Sequence, residues 1–255
     1  MINRYEAYRD GVALSSIDGA IMILDIQYPP VSISYRTGRV ANRQGVRTYG
    51  EYVGETSVTI VFEIHEYDTV KRQAICRRVA RWAMYGKYMT TSDRPEERLR
   101  CVCDDPPSIQ SVKKWTDQIK MTFTAQVLPF WEEVNETRLT ITGASGSQSL
   151  YIPGNVRGTL VTVSIKANAA CENITIASGS TMMMLKGLGL EANDVVLIDY
   201  DDNMILRILK NGTTSILSKR SGSDDLLVDS GKFNTFVVSA SASVTATFYV
   251  RGWSV

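Results

Sequence analysis

Apolar and polar residues alternate along one segment of the first half of the chain. In "ETSVTIVFEIHEY", Val58, Ile60, Phe62 and Ile64 fall on one side and mainly polar residues fall on the other. A period of two residues is typical of a β-strand with one buried face. We therefore predict a strand at this segment.

The period changes to that of a helix directly afterwards. The segment "VKRQAICRRVARWAMY" follows Asp68 and Thr69, either of which suits an N-cap, and precedes Gly86, which suits a stop. At 100° per residue the apolar side chains share one arc, which holds Ile75, Cys76, Val79, Trp82 and Ala83. A second arc holds three arginines, Arg77, Arg78 and Arg81. The pattern predicts an amphipathic helix of about four turns. A solvated face or an acidic neighbour explains the basic arc better than nucleic acid does.

Two more strand-like segments complete the first half. They are "RLRCVCDD" and "KMTFTAQVLPFWEE", and the turn-forming "DDPPS" lies between them. Residues 1–134 are accordingly predicted to form an α+β domain with one principal helix.

Short apolar or β-branched segments recur throughout the second half. Examples are "TRLTIT", "SLYIP", "GTLVTVSIKA", "DVVLIDY", "FNTFVVSAS" and "VTATFYVRGW", with turn signals such as "GASGSQ", "PGNVRG" and "NGTT" between segments. Turns every 8–12 residues or so are typical of an antiparallel β-sandwich. We predict such a sandwich over residues 135–255, which makes the fold class mainly β.

Composition and charge exclude several classes of function. The chain has 255 residues, 44% of them hydrophobic, and a net charge of +1. No apolar run reaches the roughly 18 residues of a membrane span, and the start "MINRYEAYRDG" lacks the apolar region of a signal peptide. We expect a soluble protein without membrane insertion. Nucleic-acid recognition is not expected either, because it usually brings a stronger basic bias.

One stretch departs from this even charge distribution. No acidic residue occurs between Asp25 and Glu51, whereas four arginines recur in "SISYRTGRVANRQGVRTYGEY": Arg36, Arg39, Arg43 and Arg47. The stretch contains glycine and few aliphatic residues. It is predicted to be a long loop or arm over about residues 31–53 that cannot form a core of its own.

An acidic cluster resembles a calcium loop only in part. Asp199, Asp201, Asp202 and Asn203 lie between two aliphatic runs. An EF-hand needs Gly at position six and a bidentate Glu at position twelve, whereas Met204 and Lys210 occupy those positions. A hairpin turn is the better interpretation, and a calcium site of another kind stays an alternative.

Other chemical motifs fail on context. "GLGLEA" matches a dinucleotide fingerprint but precedes a strand rather than a helix. Cys101 and Cys103 lack two further zinc ligands, and His65 is the sole histidine on which a nucleophilic triad could be built. Glu132 and Glu133 are adjacent acids of the kind common at surfaces. We expect no catalytic site, no cofactor and no metal.

The order of these elements carries a resemblance. An Arg/Gly arm, a strand-to-helix unit, "SDRPEERLRCV", "LPFWEE" and a sandwich that closes on "LLVDSGKFNTFVVSASASVTATFYVRGW" together resemble the distal tail protein (Dit) family of long-tailed phages. The resemblance covers nearly the whole chain. The residues that match the family are Asp93, Pro95, Pro129, Phe130, Trp131, Asp229, Gly231, Phe233 and Trp253.

The resemblance implies a structural role in a virion. An N-terminal belt domain would form a homohexameric ring at the end of the tail tube, and a galectin-like β-sandwich would project outward. The partners would be other copies of the chain, the tail tube protein, a tail-associated baseplate or fibre protein and the tape measure protein. The location would be the tail tip or baseplate, after folding in the host cytoplasm. Arg36, Arg39, Arg43 and Arg47 are then candidates for contacts with adjacent subunits or for lining the lumen.

Two functions compete with the structural role: a carbohydrate-binding module and a hydrolase. A carbohydrate-binding adsorption module would place an exposed aromatic patch on one sheet face, with Tyr151, Tyr200, Tyr249 or Trp253 as candidates. The chain lacks room for the insertions of many family members, so the sandwich could instead be a spacer or docking surface. A hydrolase is disfavoured by the poverty in histidine.

Overall fold

The computed structural model describes residues 5–38, 47–107 and 118–255. It divides into two compact units, one that ends at Trp131 and one that comprises Glu132–Ser254. The sequence prediction placed the division after Val134. Within the described ranges no helix is long and apolar enough to cross a membrane.

In the described part of the chain, the first unit is an antiparallel sheet with one helix packed on it. Its elements are β1 (Ala7–Arg9), β2 (Val12–Ala13), a 3₁₀ turn (Ser15–Ile17), β3 (Ile21–Gln27), β4 (Ile33–Gly38), β5 (Arg47–Val53), β6 (Ser57–Ile64), α1 (Thr69–Met84), β7 (Tyr88–Thr91), β8 (Arg94–Cys103) and β9 (Ile119–Ala125), before β10 (Trp131–Glu133). The main sheet has the order β2-β1-β7-β8-β9-β6-β3. Strand β3 therefore lies at one edge of this order.

Helix α1 begins and faces the sheet as its sequence pattern predicts. The Asp68 side chain caps the helix by accepting hydrogen bonds from the backbone N–H groups of Val70 and Lys71. All five residues of the predicted apolar arc are buried, while Arg77, Arg78 and Arg81 are exposed. Trp82 meets Phe123 of β9 edge-to-face at 6.1 Å between ring centroids. The helix prediction is confirmed.

The second unit is built entirely from strands and turns in the part of the chain described. Its strands are β11 (Thr137–Ile152), β12 (Thr159–Ala167), β13 (Ile174–Ser178), β14 (Thr181–Leu185), β15 (Val195–Tyr200), β16 (Leu206–Lys210), β17 (Thr214–Ser215), β18 (Arg220–Gly222), β19 (Leu227–Val228), β20 (Lys232–Val250) and β21 (Trp253–Ser254), with a 3₁₀ turn at Leu217–Lys219.

Strand β20 organises this unit. Its first half pairs with β13 and its second half with β12, while β11 pairs along both halves. The strand order is β17-β16-β15-β12-β20-β13-β14-β18. Phe236 from the first half and Phe248 from the second approach to 5.0 Å between ring centroids in the core. One bent ribbon thus contributes to both sides of the sandwich.

The ribbon corrects one sequence prediction. "GASGSQ" was predicted to be a turn between two strands, but it lies inside β11. The register moves from Gly143–Val244 to Ser145–Ser239 at this point, which marks a bulge whose extra residues lie on β20. Gly143 has φ +137°. A ribbon shared by two sheet halves must bend, and small residues at a bulge allow the bend without ending the strand. "FNTFVVSAS" and the "VTATFYV" of the last segment are likewise parts of one strand.

Candidate assembly surface

The Arg-rich stretch, predicted to be a long loop or arm, contains two paired strands that form a β-hairpin. Strands β4 and β5 pair from Ile33–Val53 to Gly38–Arg47. The hairpin interrupts the connection between β3 and β6, which are themselves paired through Gln27 and Thr59. The prediction overlooked the Ile, Tyr, Thr and Val residues interspersed among the glycines and arginines, which favour extended backbone. We call this β4–β5 hairpin the arm.

The arm stands apart from the other sheets. Its two strands form a separate two-stranded sheet within the described residues. Ile33 is 52% exposed and Tyr35 is 57% exposed. An isolated two-stranded hairpin is marginally stable in water, and its outer edges present backbone groups suited to pairing with another chain. Its length, edges and exposed apolar side chains therefore suit it to a contact with a neighbouring molecule.

Two of the four arginines predicted to lie at an interface between subunits are on the described strands of the arm. Arg36 lies on β4 opposite Gly50, and its side chain is exposed. Arg47 lies on β5, where the structure describes its backbone but not its side chain. Arg39 and Arg43 lie outside the described residues. The role of all four at an interface stays a prediction.

The arm is closed at its base by a close backbone contact. The N–H of Gly54 donates to the carbonyl oxygen of Ser32 at 2.6 Å. A Cβ on residue 54 would lie 2.1 Å from the Ser32 hydroxyl oxygen. The same Cβ would lie 3.0 Å from the Ser32 carbonyl oxygen, so glycine eases the close approach that keeps the two ends of the arm together.

The first stem of the arm is held by an aromatic and cationic cluster. The Tyr28 ring meets Trp131 edge-to-face with centroids 6.0 Å apart. The guanidinium carbon of Arg94 lies 5.2 Å from the Tyr28 centroid and 5.0 Å from the Trp131 centroid. The Tyr28 hydroxyl makes a 2.7 Å hydrogen bond with Thr91 and a 3.4 Å one with Asp93. Burial raises the pKa of Tyr28, so the hydroxyl stays protonated.

The second stem is held by the segment that ends the first unit. Thr56 is buried, and its hydroxyl donates to the carbonyl oxygen of Pro129. The carbonyl oxygen of Thr56 accepts a hydrogen bond from Ala125 at 2.8 Å. The family-matching residues Asp93, Pro129 and Trp131 therefore meet around the base of the arm.

The remaining family-matching residues of the first unit lie beside this cluster. Phe130 is half-buried and Pro95 is exposed on β8. Tyr28, Thr56 and Arg94 were missed by the sequence reasoning, because nothing in their local sequence signals contacts made across the fold.

In the second unit, three of the four family-matching residues shape one turn region. Asp229 accepts from the N–H of Gly158 at 3.1 Å, and its ion pair with Lys232 is the main cause of its lowered pKa. Gly231 has φ +80°, and a Cβ there would lie 2.7 Å from the carbonyl oxygen of Gly154. Trp253 is buried, and its backbone N–H donates to the Ser230 hydroxyl at 3.0 Å. These contacts are structural.

The four aromatic residues proposed for a carbohydrate site differ in the solvent exposure and contacts of their side chains. Trp253 is 7% exposed, so its place in an exposed patch is wrong. Tyr200 receives a hydrogen bond from the N–H of Leu226, and burial raises its pKa. Tyr249 packs against the Arg138 guanidinium at 5.3 Å. Tyr151, in contrast, is 47% exposed and contacts the fourth family-matching residue, Phe233, which is 72% exposed.

Tyr151 and Phe233 begin an uncharged sheet face. They are paired across β11 and β20, with centroids 5.5 Å apart. The next rows on the same side are Ser149–Thr235 and Ser147–Val237, followed on neighbouring strands by Ala177 and Met182. None of these side chains carries a charge. We call this surface the uncharged face.

The histidine and the two closely spaced cysteines singled out in the sequence have local structural contacts or are buried. His65 contacts Glu63 at 2.8 Å. Burial is the main cause that raises the pKa of Cys101 and that of Cys103, each to about 11, which keeps both thiols protonated at neutral pH. Within residues 5–38, 47–107 and 118–255, no cluster of three or more His, Cys, Asp or Glu side chains could hold a metal ion.

Comparison with known proteins bears on the fold. No protein-family model matches the sequence, and no curated protein is significantly similar to it. The Dit protein of phage SPP1, a paradigm of the hub adsorption apparatus in phages that infect Gram-positive bacteria, is 13% identical, with a TM-score of 0.65 over 97% of this chain and 98% of that chain. A chain of the phage P2 baseplate in its activated conformation with calcium is 9% identical, with a TM-score of 0.45 over 99% of this chain and 98% of that chain.

The SPP1 comparison shows that this chain has the Dit fold. The predicted fold class, mainly β with one principal helix and a C-terminal sandwich, is confirmed. The resemblance drawn from the order of sequence elements is confirmed at the level of fold.

Proposed function

We propose that the protein is a structural component of a phage tail tip, where copies form a ring that serves as the hub of the adsorption apparatus. The observation that carries this proposal is the fold shared with SPP1 Dit over 97% of the chain. Fold alone does not determine function. The arm adds a physical reason, because a hairpin without its own core is suited to a neighbouring copy.

The proposed ring is closed and contains six copies. Closed cyclic symmetry lets the arm of each copy bind the next, so that no arm is left uncovered. The arm would extend a neighbour's sheet or cover its surface, and Arg36 with Arg39, Arg43 and Arg47 would meet acidic groups or line the lumen. The tail tube protein would bind one side of the ring and a tail-associated baseplate or fibre protein the other, with the tape measure protein inside.

Replacement of the arm tests the assembly role. The hydrogen bond from Gly54 to Ser32 has the pattern of a β-turn, in which residue i accepts from residue i+3. Residues 33–53 can therefore be replaced by the dipeptide Asn-Gly, which favours a tight hairpin turn. Native mass spectrometry of the parent should show a species of six times 28.3 kDa. The replacement variant should remain a monomer with an unchanged far-ultraviolet circular dichroism shape. Ring formation by this variant would contradict the role of the arm.

A second candidate function is adsorption to a neutral glycan on the uncharged face. The specific observation is the exposed Tyr151–Phe233 pair beside a row of hydroxyl side chains. Aromatic rings pack against the C–H face of a sugar, and hydroxyl groups orient it. A glycan array probed with the parent and with Tyr151→Ala tests this candidate. Binding that is lost in the variant supports the glycan function, and an array without signal removes it.

A further inference from the structure

The direction of the arm is set where its base joins the first unit. Within the described residues its two strands form a sheet of their own, and the arm joins the first unit through two stems, residues 28–32 and 54–56. A two-stranded ribbon attached in this way can swing unless its stems are fixed. The side chains that contact the stems therefore control where the arm points.

Arg94 occupies the central position among these side chains. Its guanidinium lies near both the Tyr28 ring of the first stem and the Trp131 ring, at 5.2 Å and 5.0 Å. A 3.2 Å ion pair with Glu97 also orients the group. A planar guanidinium can pack against two rings while it keeps a hydrogen-bonded carboxylate, which an ammonium group cannot do equally well.

The same cluster reaches the second stem through the backbone. Trp131 follows Pro129 by two positions, and the Pro129 carbonyl oxygen accepts the hydrogen bond from Thr56. One short segment therefore contacts both stems, and Arg94 fixes the aromatic end of that segment against Tyr28.

We propose that Arg94 is a positioning residue that fixes the direction of the arm by holding Tyr28 and Trp131 together. Its importance for ring assembly rests on the proposed function, whereas its effect on the arm itself does not. The arm is then presented to a neighbouring copy in one orientation, which removes the entropy cost of ordering it during assembly.

Electron–electron distance measurement tests the direction of the arm. Spin labels are attached at Ser34→Cys on the arm and Lys71→Cys on α1, both at exposed positions. The background carries Cys103→Ser, because the other three native thiols are buried. Dilution with excess unlabelled protein suppresses distances between copies. We expect one narrow distance distribution in this background and at least a twofold broader one after Arg94→Met.

Two further variants separate positioning from folding. Arg94→Lys keeps the charge and should give an intermediate width. Arg98→Met is the matched control, because Arg98 lies on the same strand and packs on a different ring, Tyr88, at 4.1 Å; its distribution should stay narrow. Arg94→Lys also provides the decisive comparison if Arg94→Met does not fold. An unchanged width in the folded Arg94 variants would overturn the proposal.

Assembly is measured separately in the same variants by native mass spectrometry. If the parent forms a ring, Arg94→Met should require about tenfold more protein to do so. A parent that stays monomeric would refute the proposed ring, and the distance distributions would still decide whether Arg94 positions the arm. A ring that forms equally well with a broadened arm would refute the link between positioning and assembly.

Discussion

Asp199 and Arg207 face each other across the β15–β16 hairpin and form two parallel hydrogen bonds, of 3.0 Å and 2.6 Å. This ion pair engages one carboxylate of the acidic cluster. A second, Asp201, accepts hydrogen bonds from the N–H groups of Asn203 and Ile205 at 2.8 Å and 2.9 Å. The cluster that resembles an ion site in the sequence is therefore the turn of a hairpin, as the missing Gly and Glu positions predicted.

The Asp201 side chain should stabilise this turn. Asp201→Ala should lower the free energy of unfolding by about 1–2 kcal/mol, because two backbone N–H groups lose their acceptor. Asp201→Asn keeps an acceptor oxygen and should cost less than half as much. Urea unfolding measures both values. Equal losses in the two variants would show that the charge, rather than the hydrogen bonds, matters.

A glycine series separates backbone strain from steric overlap. Gly19→Ala should be nearly neutral, since no atom lies within 4 Å of the added Cβ and φ is not positive there. Gly212→Ala, at φ +71° with open surroundings, should cost about 1 kcal/mol.

The third member of the series combines both effects. Gly231→Ala should cost about 2–4 kcal/mol, because the Cβ also meets the Gly154 carbonyl oxygen at 2.7 Å. Urea unfolding again provides the measurement. Equal costs for the changes at Gly212 and Gly231 would contradict a role for the close approach.

Asp194 should contribute to the acid sensitivity of the second unit. The Asn211 amide, the Glu191 backbone N–H and the Lys210 ammonium hold the pKa of Asp194 at about 2, below its ordinary value of 3.8. Because the folded pKa is the lower one, the stabilisation is complete above about pH 4 and is lost as the pH falls toward 2. Asp194→Asn should therefore be less stable than the parent at pH 7, and the difference should shrink at pH 2. A difference that does not change between these pH values would exclude the ion contacts as its cause.

Charge reversal on the arm tests the arginine hypothesis. Arg36→Glu should weaken ring assembly about tenfold, because a carboxylate would replace the cation that meets acidic groups of the neighbour. Lys166→Glu, at an exposed position of the second unit, is the matched control and should assemble like the parent. Mass photometry over a dilution series measures the effect. Equal assembly of both variants would refute the electrostatic role of Arg36.

Local periodicity predicted some elements well and failed on others for physical reasons. Strand β6 and helix α1 followed from their apolar periods, since each buries one face against the same core. The stretch was predicted to be a loop or arm, and its strands were not predicted, because it shows little apolar alternation. The irregular pairing at Gly143 was mistaken for a turn, since glycine suits both and only the pairing of β11 with β20 distinguishes them.

The arm base could not be derived from local pattern either. Tyr28, Arg94 and Trp131 are distant in the sequence and meet only because the strand pairings bring their segments together. The resemblance selected Trp131 but gave no reason for Arg94. Contacts of this kind depend on register and side-chain direction, which a single sequence does not specify.

The most direct test of the proposed function is the position of the protein in the phage particle that contains it. Gold-labelled antibodies against the purified protein should bind intact particles at the end of the tail away from the head. The control is particles from a phage whose gene for this chain carries an early stop codon. These particles are treated with the same antibodies and should carry no gold. Gold at the tail end is the predicted result. Absence of the protein from purified particles, or gold on the head, would contradict the account.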